Sequence, residues 1–323
     1  MPPRERKCPA MARLPRTDLE LFPLNLGGNT FGWTADRNAS FAVLDAYTAA
    51  GGNFVDTADV YSAWVDGHTG GESEAVLGQW LAARGNRDEI VLATKVGAHP
   101  QRPGLARANV VAALEDSLRR LGTDRIDLYY AHHDDESVPV AEQAAVFDEL
   151  VRAGKIRAVG LSNYGPERLR EWFETAEREG LTVPAAIQPE YNLVARRDYE
   201  RQIAPVAREH GAAVLPYYGL ASGFLTGKYR TPADLEGRAR RGAAAAHLNE
   251  QGLAVVDALV AVAGAHRAEP ATVALAWLLA KGATAPIASA SAPEQVPALV
   301  AAPGLELTAD EVAALDEASR PFA

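Results

Sequence analysis

Residues 51–61 read GGNFVDTADVY. The apolar pair Phe54–Val55 runs straight into Asp56-Thr57-Ala58-Asp59 and then Tyr61. That is the pattern of a short buried strand whose C-terminal end delivers an acid, with a tyrosine in the loop just beyond. A tyrosine takes part in acid–base chemistry near neutrality when something pulls its pKa down from about 10, and the usual device is a cation held in place by a carboxylate. The stretch therefore asks for a lysine at a second strand end and a further polar group to complete a site.

Outward from this stretch the same unit recurs. Leu24–Asn29 is short and ends in Gly27-Gly28. Ile90–Val96 carries Lys95 near its end, and Ile126–Ala131 runs into His132-His133-Asp134-Asp135. Ala158–Leu161 leads to Ser162-Asn163, Ala185–Ile187 to Gln188, Ala212–Leu215 to Tyr217-Tyr218-Gly219-Leu220, and Ala285–Ala288 to Ser289 and Ser291. Helical spacing fills most of the intervals. It is clearest over Asn109–Leu121, where Val110, Val111, Leu114, Leu118 and Leu121 form one stripe and Gly122 stops the helix. Further helices are expected at 40–50, 72–84, 140–153, from Pro166 onward, and at 198–210, 249–266, 271–281, 293–301 and 308–319.

Eight short strands alternating with helices, with no linker between them, predict parallel strands joined by right-handed crossovers. Eight such units favour a closed (β/α)8 barrel, the TIM barrel of the α/β class, over an open sheet. No GxGxxG follows the first strand, which argues against a Rossmann fold. The chemistry-bearing residues all lie at strand C-terminal ends, and in a barrel those ends share one rim, where active sites are found. Residues 17–323 are expected to form this single domain, and residues 1–16 a disordered tail.

The bulk properties narrow the function classes. A net charge of −10 over 323 residues argues against nucleic acid as a partner. Cys8, the one cysteine, has no internal partner for a disulfide, which fits a reducing cytoplasm. No apolar run approaches the roughly 18 residues that span a bilayer, and residues 1–16 carry five cationic side chains but no apolar core of an export signal.

Asp56, Tyr61, Lys95 and His132 can meet if the barrel closes. Tyr61 would donate a proton to a carbonyl oxygen, Lys95 would lower its pKa, Asp56 would hold Lys95, and His132 would orient the carbonyl or share the proton. Each has a plainer reading alone: a turn-forming aspartate, a packed rim tyrosine, a snorkelling lysine. Their shared position at successive strand ends is what favours the site. The reaction that suits them is hydride transfer to a small aldehyde or ketone. None of these side chains supplies a hydride, so a nicotinamide cofactor is required. His132, His133, Asp134 and Asp135 also raise a metal-dependent hydrolase, but four adjacent residues on an extended chain point different ways, and no metal is expected. Residues 231–250, TPADLEGRARRGAAAAHLNE, lack apolar periodicity and carry Arg238, Arg240 and Arg241. A loop this long is either a lid over an anionic ligand or a solvated excursion.

From about Leu19 to Ser319 the sequence resembles the aldo-keto reductases, most of all the long bacterial members that are similar to potassium-channel β subunits. The motifs that carry the resemblance are GGNFVDTADVYS with GESEAVLG behind it, VLATKVG, DLYYAHHDD, GKIRAVGLSNY, IQPEYNLVARR and VLPYYGLASGFLTGKY. The resemblance implies a (β/α)8 barrel, NAD(P)H-linked carbonyl reduction, and a catalytic tetrad at Asp56, Tyr61, Lys95 and His132. It implies that Ser162, Asn163 and Gln188 hold the nicotinamide carboxamide, that Tyr217 stacks on the ring, and that Tyr218, Gly219, Leu220 and Gly223 carry the pyrophosphate. Lys228 and Arg238 would clamp phosphate, Gly28 would pass close to the cofactor, and Ser289, Ser291 and Gln295 would face the adenosine end. Gly219 replaces a proline common in relatives, which would free that loop. Ser291 replaces an arginine that pairs a 2′-phosphate, and Ala298-Leu299 replace a glutamate–asparagine pair. NADP(H) is the family habit, with NAD(H) open. Trp33, Phe31, Trp64 and His133 are candidates for the substrate rim. The alternative, a nucleotide-sensing partner subunit like the channel β proteins, is disfavoured because those relatives have lost the histidine present here as His132.

Overall fold

The structure is a computed structural model describing residues 10–323. It opens with a small antiparallel hairpin, β1 (Ala12–Arg13) and β2 (Glu20–Leu21). Eight parallel strands follow: β3 (Asn25–Gly27), β4 (Phe54–Asp56), β5 (Val91–Val96), β6 (Ile126–Ala131), β7 (Ile156–Ser162), β8 (Ala186–Gln188), β9 (Ala213–Val214) and β10 (Ile287–Ala288). They pair in the order β10-β3-β4-β5-β6-β7-β8-β9. The ends of that order are joined by hydrogen bonds from the Thr284 N–H to the Val214 carbonyl (2.8 Å) and from the Ile287 N–H to the Pro216 carbonyl (2.8 Å). The sheet is therefore a closed (β/α)8 barrel, as the alternation of elements predicts.

Helices α1 (Arg37–Ala49), α2 (Glu72–Arg84), α3 (Arg107–Leu121), α4 (Val140–Arg152), α5 (Pro166–Glu179) and α6 (Ala204–Glu209) connect successive strands from β3 to β9. Between β9 and β10 lie α7 (Arg241–Ala245), α8 (Glu250–His266) and α9 (Pro270–Ala280), and α10 (Val296–Val300) and α11 (Ala309–Ala318) end the chain. No helix among the described residues is long and apolar enough to cross a membrane.

Strand side chains alternate between two cores, because successive Cβ atoms point to opposite faces. Phe54, Val91, Ala93, Leu128, Tyr130, Ala158, Ala186 and Ala213 fill the barrel interior. Val55, Leu92, Val96, Tyr129, Val159, Leu161 and Ile187 face the helices. Inside, large and small residues fit together: a Cβ on Gly160 would lie 2.4 Å from the ring of Tyr130. Leu14, Leu19 and Leu21 of the hairpin belong to the interior core and close the end of the barrel where strands begin. Asn53, just before β4, ties the hairpin down by donating to the Glu20 carbonyl (2.9 Å) and accepting from the Phe22 N–H (2.8 Å).

Residues 10–16, expected as part of a disordered tail, are instead ordered and include β1. Residues 1–9, with Cys8, lie outside the described residues, and the remainder leads into the plug. Two-residue strands are too short to leave a periodic pattern, so three leucines were all the sequence offered.

Candidate active site

The two-residue period decides what reaches the rim. Phe54, Ala93, Tyr130, Gly160 and Ala186 point inward, so Asp56, Lys95, His132, Ser162 and Gln188, each two residues further on, point inward at the opposite end from the plug. Strand register aligns them: Asp56 pairs with Ala93, Lys95 with Tyr130, and Ser162 with Gln188.

The structure brings Asp56, Tyr61, Lys95 and His132 together. Lys95 is fully buried, and its Nζ donates to Asp56 Oδ2 in a short ion pair, to the Thr57 carbonyl (2.8 Å) and to the Tyr61 hydroxyl (3.0 Å). All three ammonium hydrogens are used, which fixes the amine. The Tyr61 hydroxyl in turn lies 3.4 Å from Asp56 Oδ2. Gln188 Nε2 donates to Asp56 Oδ1 (3.0 Å), so both carboxylate oxygens have partners. The His132 ring meets that of Tyr61 edge to face at 6.2 Å and stacks on His133 at 5.1 Å.

Electrostatics differ from the sequence expectation in one respect. Burial pulls the Lys95 ammonium below its usual pKa, opposed by the charge of Asp56. The Tyr61 phenol is pushed up, not down: burial is the largest cause, and the charge and hydrogen bond of Asp56 add to it. Lys95 does not offset the burial, because the pair it forms with Asp56 is locally neutral. The charge of Lys95 is met at close range by Asp56, so the phenol faces an ion pair rather than a bare cation. Tyr61 therefore keeps its proton through the neutral range. Burial, then the charges of Lys95 and His133, hold His132 well below 6.5, so its imidazole is neutral, and its Nδ1 is buried without a partner.

Above this floor opens a cavity of about 1380 Å³ lined by Tyr61, His132, Ser162, Asn163, Gln188 and the whole 217–220 loop. Ser162 Oγ donates to the Gln188 carbonyl (2.8 Å), Asn163 Nδ2 to the His132 carbonyl (2.8 Å), and the Tyr217 hydroxyl to Asn163 Oδ1 (2.8 Å). Asn163 sits at φ 57°, a left-handed conformation that asparagine tolerates better than most residues. Tyr218, Ala221 and Ser222 also have positive φ, a cluster of strained non-glycine residues of the sort found where backbone grips a ligand.

Gly223, Lys228, Arg238, Ser289, Ser291 and Gln295 line the same cavity, as do Trp33, Trp64 and His133. Two expectations need correction. Gly28 does not line it: a Cβ there would meet Ser73 Oγ at 2.9 Å and the Asp56 carbonyl at 3.0 Å, so its bare face is turned to α2, and Gly27 lines the cavity instead. Phe31 is fully buried core rather than rim. Gly219 is not free either, since its Cβ position lies 3.1 Å from the Ile287 carbonyl and against Leu275 and Leu278. Asp134 and Asp135 are already engaged, the first by a two-pronged pair with Arg168 (2.8 Å each), the second by the Leu105 N–H (2.7 Å) and Ser137. The segment 231–250 is built into the site: Leu235 and Ala244 are buried, and residues 237–240 with 242–243 form part of the cavity wall.

Sequence reasoning missed Asn29 and named Arg240 only as one of three arginines in a candidate lid. Both line the cavity, and Arg240 donates to Asn29 Oδ1 (3.0 Å), which also accepts from Ser289 Oγ (2.8 Å). They are 211 residues apart in the chain, and no local pattern links them.

Sequence comparison agrees with this fold. The model of the Aldo/keto reductase family matches residues 23–320. The chain belongs to the aldo-keto reductases. Among curated members of the family it is 35% identical to the aldo-keto reductase ausK of Aspergillus calidoustus over 287 residues, covering 83% of this chain and 70% of that protein. It is 33% identical to Protein tas of Escherichia coli K12 over 294 residues (82% and 84%). It is also 34% identical to a probable voltage-gated potassium channel subunit beta of Oryza sativa over 229 residues (68% of each). By its family this chain is an oxidoreductase, and aldo-keto reductases in general use nicotinamide nucleotides.

Proposed function

We propose that the protein reduces an aldehyde or ketone to the alcohol with NADP(H), and that Tyr61 supplies the proton. The observation that carries this reading is the single amine of Lys95, which grips Asp56 and the Tyr61 hydroxyl at once on the floor of a large cavity. The residues present fit a nicotinamide nucleotide. Ser162, Asn163 and Gln188 offer the mixed donors and acceptors that a carboxamide needs. Tyr217 presents an aromatic ring, Lys228 and Arg238 offer positive charge, and the cavity exceeds the roughly 300–1000 Å³ of a site for one small molecule.

The bound nucleotide would supply hydride to the carbonyl carbon. The Tyr61 hydroxyl then gives its proton to the carbonyl oxygen, and the phenolate left behind is stabilised by the ammonium of Lys95. Solvent returns the proton. A phenol held in its protonated form is the state that reduction requires, because the developing alkoxide is a stronger base than phenolate. Neutral His132 can hydrogen-bond the same oxygen without a competing charge. Reduction should therefore be nearly flat through the neutral range, whereas alcohol oxidation, which needs phenolate, should rise as pH rises.

The test is a fluorescence-quench titration with NADPH and NADH, followed by a panel of small carbonyls with the tighter nucleotide. Micromolar binding with carbonyl-dependent nucleotide oxidation is expected. Tight binding without turnover on any carbonyl would replace this reading with that of a nucleotide-sensing partner subunit.

A further inference from the structure

Arg240 is a partly buried guanidinium with no carboxylate partner. No ion pair among the described residues includes it, and its one hydrogen bond, to the neutral oxygen of Asn29, uses one of five donors. Buried cations are normally paired, because removing one from water without a counter-charge costs several kcal/mol. The titratable groups that act on its charge are the hydroxyls of Tyr218, Tyr229 and Tyr61. The other arginines of the segment behave differently: Arg238 is exposed, and Arg241 is exposed and off the cavity.

Its position is as informative as its charge. The guanidinium carbon lies over the ring of Trp33, 5.7 Å from the centroid. Trp33 meets Trp64 edge to face at 5.5 Å, and Trp64 meets Tyr61 at 6.1 Å. An unbroken aromatic wall thus runs from the reacting hydroxyl to the unpaired cation. Lys228, by contrast, sits by the 217–223 loop, 3.1 Å from the Cβ position of Gly223 and over the ring of Tyr229.

We propose that Arg240 binds a carboxylate on the substrate, so that the preferred substrates are flat, apolar carbonyl compounds that carry an acid group remote from the carbonyl. This rests on the reductase reading and names the substrate class for it. The carbonyl lies at Tyr61, the apolar body packs along Trp64 and Trp33, and the acid completes the guanidinium through the two-pronged geometry that arginine offers carboxylates. The segment 231–250 is then the wall that brings the counter-charge, which explains why a stretch without apolar periodicity is packed against the cavity.

The experiment compares 4-formylbenzoate with its methyl ester, which differ in charge at one end. Wild-type protein is expected to favour the acid at least tenfold in kcat/KM at low salt, with the preference shrinking as salt is added. Arg240→Gln is expected to erase the preference through the KM for the acid while NADPH affinity stays within twofold. Arg241→Gln, altered next door outside the cavity, keeps the preference. Equal use of acid and ester by the wild type overturns the assignment and leaves the reductase reading intact. A loss of NADPH affinity in Arg240→Gln that matches the loss on the acid gives the guanidinium to the nucleotide and also overturns it. Failure to reduce either compound, with carbonyl reduction absent across the wider panel, removes both readings.

Discussion

Asp56 and Asp59 stand three residues apart at the end of β4 and in the loop beyond it, and each is 1% exposed, yet they are opposite cases. Asp56 ends β4 on the inner face of the barrel, with one oxygen on Lys95 and the other on Gln188. Asp59 lies on the helix side of the wall, and neither of its carboxylate oxygens has a hydrogen-bond partner. Its charged surroundings are Glu74, Arg102, Arg120 and Lys95, the last already paired with Asp56, with the unpartnered hydroxyl of Tyr129 close by. The arginines are committed elsewhere: Arg120 grips Glu74, which also accepts from Thr94 Oγ1 (2.6 Å), and Arg102 pairs with Asp116. Burial first, then the charge of Glu74, pushes Asp59 up to about 7. One wall of the barrel thus holds a carboxylate whose charge is put to use and a second whose charge is a cost. Burial alone does not make a site; a positioned counter-ion does.

The largest effect should come from breaking the inner pair. Lys95→Met is expected to lower carbonyl turnover about 10²–10⁴-fold and, by stranding Asp56, to cost about 3–5 kcal/mol of stability. Steady-state kinetics and urea unfolding report the two losses separately. A variant that kept wild-type turnover would erase the distinction between the two faces.

The outer carboxylate should behave in the reverse sense. A folded-state pKa near 7 against 3.8 for the free group means that the native protein binds the proton more tightly than the unfolded chain does. Stability from this group is full below pH 3.8 and is lost as pH rises toward 7. Asp59→Asn should therefore stabilise the protein at pH 8 by on the order of 2–4 kcal/mol relative to its effect at pH 4. Paired urea titrations at the two pH values test it, and an equal effect at both would show that folding does not raise the pKa of Asp59. Smaller still, Gly160→Ala should cost about 1–3 kcal/mol, because its methyl group would press on the Tyr130 ring directly below Lys95. Thermal unfolding reads that loss, and an unchanged midpoint would mean the inner core yields more easily than its packing indicates.

Much of this was legible in the sequence wherever chemistry and period coincide. Asp56, Lys95, His132, Ser162 and Gln188 each follow an apolar run at a strand end, so both the barrel and the convergence of these residues could be read from alternation. The helices with a stripe and a glycine stop were read to within a few residues, and Glu72–Arg84 was met at both ends. What the sequence hid has physical causes. The hairpin plug is too short for a period. Gly27 and Gly28 are adjacent and identical, and only the packing of Ser73 against one of them tells them apart. Arg240 depends on Asn29 and Trp33, more than two hundred residues away, and its neighbour Arg238 looks the same from sequence. The upward direction of the Tyr61 pKa comes first from burial and then from the charge of Asp56, and no spacing reveals either.

The most direct test of the central claim is single-turnover oxidation of NADPH by Tyr61→Phe with a carbonyl that the wild type reduces. Removing one hydroxyl while keeping the ring should lower the rate about 10²–10⁴-fold with NADPH affinity unchanged. Turnover at the wild-type rate would contradict the account, since the proton would then come from another group.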